Sequence, residues 1–217
     1  MGARWLGRDA LGGHGLQQPL VADVDGETFA AATAGARRYG FHGTLKAPIA
    51  LKPECDEAAF VAAATAFALT RAPVTIPAIT LDRLGAFLAL VPAASVPALD
   101  SLAADLVVAM DRFRTPPSET EITRRRRAGL TPRQDALLVA YGYPYVLEEF
   151  RFHMTLTDAL DAEIADPVQR GAERFFAPVL GRAVLVDALA HFVEPEPGAN
   201  FVLRRFIPLG TAAAARP

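Results

Sequence analysis

Two pentapeptides in this chain carry side chains suited to proton transfer: FHGTL at 41–45 and FHMTL at 152–156. Successive side chains of an extended strand point to opposite faces, so residues i and i+2 share a side. Read as strands, Phe41, Gly43 and Leu45 point one way while His42 and Thr44 point the other. Phe152, Met154 and Leu156 in the same way oppose His153 and Thr155. Histidine titrates closest to neutrality, so one imidazole can serve as base and its twin as acid, each step contributing typically ~10²–10⁴-fold. Threonine hydroxyls can donate hydrogen bonds to phosphoryl oxygens as charge redistributes on them. By the same parity Lys46 joins His42 and Thr44, and Arg151 and Thr157 join His153 and Thr155. Lys46 is either solvated at a strand end or meets an anionic substrate beside the histidine; in the second case two cations stand beside two histidines, as a phosphate-handling groove requires.

The elements around the motifs follow the same order twice. The first motif leads into a short strand ending near Leu51, a helical pattern at 56–69 and two strand-like runs at 74–84 and 86–91. The second leads into a strand, a helical pattern at 162–176 and runs at 183–193 and 200–207. A duplicated strand–helix–strand–strand unit predicts an α+β fold of two pseudo-symmetric lobes, each an antiparallel sheet with helices on its outer face, around a central groove. The expected organisation is a single bilobal domain over 1–217. Lobe one covers about 1–115, an inserted helical segment about 116–148, lobe two about 149–209, and a frayed tail 210–217. Phe60, Val61, Ala64, Phe67 and Ala68 recur at helical spacing and form a core stripe. A hairpin over 74–91 turns near 83–86, a second amphipathic helix covers about 97–113, and Pro116-Pro117 marks the hinge.

Other candidates lie outside the repeat. Gly12-Gly13-His14-Gly15 reads as a loop with an exposed histidine, since no P-loop Lys-Ser/Thr follows it. The arginine run 124–127 is a solvated helix face, or a source of one guanidinium, from Arg124, for an anionic ligand. Thr131 and Pro132 match the N-cap and first position of a short helix reaching about Ala140. Tyr143 and Tyr145 either pack or wall a sugar or base. His191, in an apolar strand, is expected as a satisfied core or edge residue, and Glu194 and Glu196 as surface residues.

Composition sets the outer limits. A net charge of −2 gives no overall basic field for nucleic acid. The single Cys55 excludes a disulfide within the chain and fits a reducing compartment. No residue cluster has metal-site spacing, so neither metal nor cofactor is expected. No apolar run approaches the roughly 20 residues of a membrane span, and the start lacks a signal-peptide core. A soluble cytoplasmic monomer, with no membrane partner, is the expectation.

The paired His-x-Thr-aliphatic motifs on a duplicated α+β unit resemble the two-histidine (2H) phosphoesterase superfamily. Within it, RRYGFHGTLKAP, LTPRQ, GYPYVLEEFRFHMTLT and FVEPEPG resemble a branch associated with phosphonate-degradation operons. The likeness runs over nearly the whole chain. Branch members carry an extra strand ahead of the segment corresponding to WLGRDA (5–10), so either another segment fills that place here or one sheet edge stays open. The resemblance implies His42, Thr44, His153 and Thr155 as catalytic residues, with Lys46, Arg151, Tyr143, Tyr145 and Arg124 as candidates for substrate binding. It also implies metal-independent opening of a small cyclic phosphodiester, a sugar cyclic phosphate from phosphonate breakdown. RNA 2′,3′-cyclic ends are a second enzymatic option, disfavoured by the lack of a basic stripe interleaved with aromatics. A non-catalytic module that binds a phosphorylated ligand is the third.

Overall fold

The computed structural model describes residues 1–210, so the tail expected to fray lies, beyond Gly210, outside the described residues. Three short helices lead to the first motif: α1 (Gly2–Leu6), α2 (Gly26–Ala32) and α3 (Ala34–Tyr39). The Asp25 side chain accepts hydrogen bonds from the amides of Glu27 and Thr28 at the start of α2. The first amides of α3, those of Gly35 and Ala36, donate to Asp158 at 2.7 and 3.0 Å, which ties α3 to the segment just after the second motif. Gly40 ends α3 with φ +81°, a conformation that favours glycine, and turns the chain into Phe41-His42.

The chain continues through α4 (Glu57–Leu69), β1 (Val74–Ile76), β2 (Ile79–Leu84), β3 (Phe87–Pro92) and α5 (Pro97–Met110), the last extended by a 3-10 turn, Asp111–Phe113. The inserted segment contributes α6 (Glu119–Arg126), α7 (Pro132–Tyr141) and a 3-10 turn, Leu147–Glu149. Thr131 caps α7 with Pro132 at its first position, as the sequence predicts, and Gln134 adds the return bond of a capping box. Then come β4 (Met154–Thr155), α8 (Ala162–Phe176), β5 (Val184–Val186), β6 (Ala188–Val193) and β7 (Val202–Pro208). The architecture is mixed α+β with antiparallel pairing throughout. Among the described residues no helix is long and apolar enough to cross a membrane.

The sheets are not one to each half. They pair as β1–β5, β2–β3–β4 and β6–β7. The run at 74–84 breaks after Ile76, so that β1 leaves β2 and joins β5 from the second half, with Thr75 opposite Leu185. The short strand of the second motif lies beside β3 of the first half, Thr155 opposite Ala89. The first motif makes no ladder at all. Over 41–51 its only strand-like pairing is the isolated bridge of Leu51 with Arg114. Gly43 weakens extended structure, and Pro48 cannot donate to a neighbour.

One core binds the halves together. Trp5 is fully buried against Phe29, Phe175 and Phe176, and its indole N–H donates to Leu156 O at 3.0 Å. The chain ahead of and into the WLGRDA segment is the helix α1, anchored beneath the second motif. Glu194, expected at the surface, is half-buried; it pairs with Arg38 and accepts from Gly198 N. Thr157 departs furthest from strand parity. It is completely buried, and its Oγ1 accepts from Leu88 N at 3.0 Å. Replacing Thr157 with Val should leave that buried N–H unpaired and cost about 1–3 kcal/mol. Urea unfolding would measure the loss, and ligand binding by the folded variant should be unchanged.

Candidate functional site

The two motifs meet. Gly43 is the point of contact, for a β-carbon there would overlap the Phe152 ring, and glycine alone lets the second motif lie against the first. Phe41 is seated in the same way over Gly2 of α1. The imidazoles that follow these two phenylalanines are held alike. His42 Nδ1 lies 2.8 Å from Gly40 O, and His153 Nδ1 lies 2.8 Å from Arg151 O. A carbonyl only accepts, so Nδ1 carries the proton in each ring and the neutral form keeps its lone pair on Nε2. Thr44 Oγ1 is 2.8 Å from His42 Nε2 and donates to it. Neither His153 Nε2 nor Thr155 Oγ1 has a hydrogen-bond partner among the described residues.

Each histidine is flanked by a hairpin from the other half. Phe192 of β6 stands 5.4 Å from the His42 ring, and Phe87 of β3 stands 5.8 Å from the His153 ring. Tyr39 stacks at 6.2 Å from His42 and is backed by Phe201. Burial pushes the His42 imidazole below its ordinary value; the Gly40 carbonyl opposes this, and the charge of His153 adds to it. The effect of His153 on His42 and the Gly43–Phe152 contact place the two motifs in one neighbourhood.

Lys46 leaves that face. It is largely buried, and its Nζ donates to Val107 O at 3.3 Å beside Asp111 and Arg114. Desolvation lowers its pKa to about 8, an effect that Asp111 opposes and Arg114 reinforces. Arg151 is exposed and folds back on the carbonyls of Glu148 and Phe150. Tyr143 and Tyr145 pack edge to face at 5.6 Å, with the Arg125 guanidinium 4.9 Å over Tyr143. Arg124 lies on the exposed face of α6 with Glu119 and Arg127. The arginine run is in part ion-paired, Arg125 with Glu121 and Arg126 with Asp135.

His191 is buried beside Phe60, but its Nδ1, 3.8 Å from Glu57, has no hydrogen-bond partner, so it is not the satisfied histidine expected. His14 is an exposed loop residue, as expected. Sequence reasoning missed Phe87, Phe192 and Tyr39, which stand against the histidines, and Arg114, whose side chain is nine-tenths buried beside Lys46. These aromatic contacts join distant segments, and nothing local announces them. Among the described residues no group of three or more His, Cys, Asp or Glu is gathered where it could hold a metal ion.

A family model described as "Protein of unknown function (DUF1045)" matches residues 44–202. The chain belongs to this family. Two curated relatives are similar over 95% of the chain: a protein named ribose 1,5-bisphosphate phosphokinase PhnN from Janthinobacterium sp. (strain Marseille), 39% identical, and one of the same name from Laribacter hongkongensis (strain HLHK9), 37% identical. Each match covers 47% of the relative, so the chain spans about half the length of the curated relatives it matches. No solved structure matches it. The relatives' name is that of a kinase, which moves a phosphoryl group between molecules. It overturns the expected hydrolase that opens a cyclic phosphodiester, and with it the RNA-end and non-catalytic alternatives.

The coupling of the histidines can be measured. An NMR titration should place the His42 midpoint below 6.5, and His153→Gln should move it upward without restoring 6.5, because burial is the larger cause. The folded state then binds fewer protons than the unfolded one just below pH 6.5. The stability linked to His42 is complete above that pH and is lost as pH falls through the lower folded value. A His42 midpoint indifferent to His153→Gln would separate the two motifs.

Proposed function

We propose that this chain supplies the phosphorylated-ribose site of a phosphoryl-transferring protein, with His42, Thr44, His153 and Thr155 lining it. The observation that carries this reading is the matched pair of Nδ1–carbonyl bonds. They favour, in both imidazoles, the tautomer whose Nε2 can accept a proton from a sugar hydroxyl. The depressed pKa of His42 keeps that ring neutral near pH 7, as a general base requires. His153, once protonated, would stabilise phosphoryl charge, and the Thr155 hydroxyl would donate to a non-bridging oxygen; the Thr44 hydroxyl, which donates to His42 Nε2 here, would turn to a second oxygen as that nitrogen takes up the sugar proton. The relatives' printed name supports a phosphorylated ribose as the ligand, and a place in phosphonate metabolism, implied by sequence resemblance, is in keeping with the name PhnN. The sequence contains no Gly-x₄-Gly-Lys-Ser/Thr loop, so what is assigned to this chain is sugar-phosphate binding and proton handling, not nucleotide binding.

Kinship with the two-histidine superfamily is part of the same reading, as a likeness of arrangement rather than of reaction. Each motif histidine packs against the opposite half's hairpin, His42 on β6 and His153 on β3. β1 pairs with β5, the strands that follow α4 and α8 in the two halves, as elements astride a pseudo-two-fold axis would.

Titrating the protein with ribose 5-phosphate should shift the imidazole resonances of His42 and His153, whereas ribose alone should not. His42→Gln and His153→Gln should each weaken binding several-fold in calorimetry, and Thr44→Val and Thr155→Val less. Shifts confined to His14 or His191, or none, would move the site elsewhere.

A further inference from the structure

Resting on the phosphorylated-ribose reading of the groove, we propose that Lys46 and Arg114 form a second anion subsite beside the histidines, one that takes an oxygen of a second phosphate and so selects a bisphosphorylated sugar. Arg114 is anchored by three hydrogen bonds from two of its three nitrogens. Nε and Nη2 reach the Asp111 carboxylate at 2.7 and 3.2 Å, and Nη2 also reaches Ala140 O at 2.8 Å. Nη1 is buried and has no partner. A buried, charged N–H without an acceptor is costly in a folded protein and calls for an explanation. Among the described residues the Lys46 ammonium has one hydrogen bond, the long one to Val107 O, which leaves donors of the ammonium without partners there.

Both cations line one small pocket, walled by Val107, Val146, Tyr141 and Tyr143. The room inside is about 20 Å³. A single water needs roughly 10–15 Å³, so the pocket admits one oxygen atom and leaves the rest of a phosphate at its mouth. Gly142 shapes the wall, since a β-carbon there would press on the Arg114 side chain at 3.1 Å. With Asp111 neutralising one of the two cations, a net positive charge remains whenever Lys46 is protonated.

The pocket is tied to the first motif through the chain. Lys46 follows Thr44 by two residues, about 7 Å along an extended chain. Tyr39, three residues before His42, stacks beside that ring. A ribose with one phosphate at the His–Thr motifs would therefore direct a second toward Lys46 and Arg114. A monophosphate would leave the second position to water.

The test uses the chain labelled at lysine, which has only Lys46 and Lys52, and follows histidine and lysine resonances together. Ribose 1,5-bisphosphate should shift His42 and His153, move the Lys46 side-chain signal and raise its titration midpoint, with Asp111, Arg114, Tyr141 and Tyr143 the titratable groups around it. Lys52 should not respond. The bisphosphate should bind about ten- to a hundredfold more tightly than ribose 5-phosphate, the worth of one or two charge-assisted hydrogen bonds. Lys46→Met and Arg114→Met should each abolish that advantage while leaving ribose 5-phosphate affinity within about twofold. Histidine shifts without a Lys46 response, and with the advantage intact in Lys46→Met, would overturn the subsite and leave the groove reading standing. A Lys46 response without histidine shifts would overturn the groove reading and the pairing of the two sites with it. The Lys46 signal keeps the outcome decisive even if Arg114→Met fails to fold.

Discussion

The site depends on a side chain that is absent. Gly43 leaves open the space that the Phe152 ring fills, and through that contact the two His-x-Thr segments lie together. Any larger residue at 43 would have to push the ring aside, and with it His153, the next residue. The histidines are in turn fixed from their own backbones, each by a carbonyl two residues upstream. A close backbone approach sets the distance between the motifs and two short hydrogen bonds set the direction of the rings. Little is left to long, flexible side chains. That is the preorganisation a proton-transfer pair requires.

Neither half could hold this arrangement alone. The second motif's strand finds its partner in β3 of the first half; the first motif leans on Phe192 of the second, and Tyr39 just ahead of it on Phe201. Among the described residues β1 and β5 pair only with each other. Trp5, near the start of the chain, donates to Leu156 at the end of the second motif, and Asp158 just beyond it binds the first amides of α3. The contacts that place the histidines are therefore almost all of long range in sequence, which makes the site a product of the complete fold.

This explains what the sequence disclosed and what it withheld. Helices were legible because caps and spacing are local: Thr131 with Pro132 at the start of α7, the apolar spacing of α4, and α8 over Ala162–Phe176. The motifs were legible because they occur twice. Strand parity, however, assumes a regular strand, and it failed where regularity failed. The first motif forms no ladder, so Lys46 turns away from His42 toward Val107. The second ends its ladder at Thr155, so Thr157 drops into the core to accept from Leu88. Which strands pair across the halves is fixed by burial and register, and alternation along one strand carries no record of its partner.

The electrostatics follow from the same construction. Most arginines near the inserted segment meet carboxylates or rings, and their charge is consumed locally. Two positions are different. His42 is held largely neutral by burial, and Lys46 is brought down to about 8 by the same cause. Burial that weakens a cation in the empty protein also strengthens its attraction to an anion that displaces the water, because both effects arise from the same loss of solvent screening. A partly desolvated lysine next to a guanidinium with a free N–H is thus poorly stabilised by itself and gains most when an oxyanion arrives. A neutral imidazole beside it has the opposite bias, for it is fitted to remove a proton rather than to bind charge. Placing these two kinds of group in adjacent pockets divides the work on a phosphorylated sugar: one end is held by charge, and the other is exposed to a base.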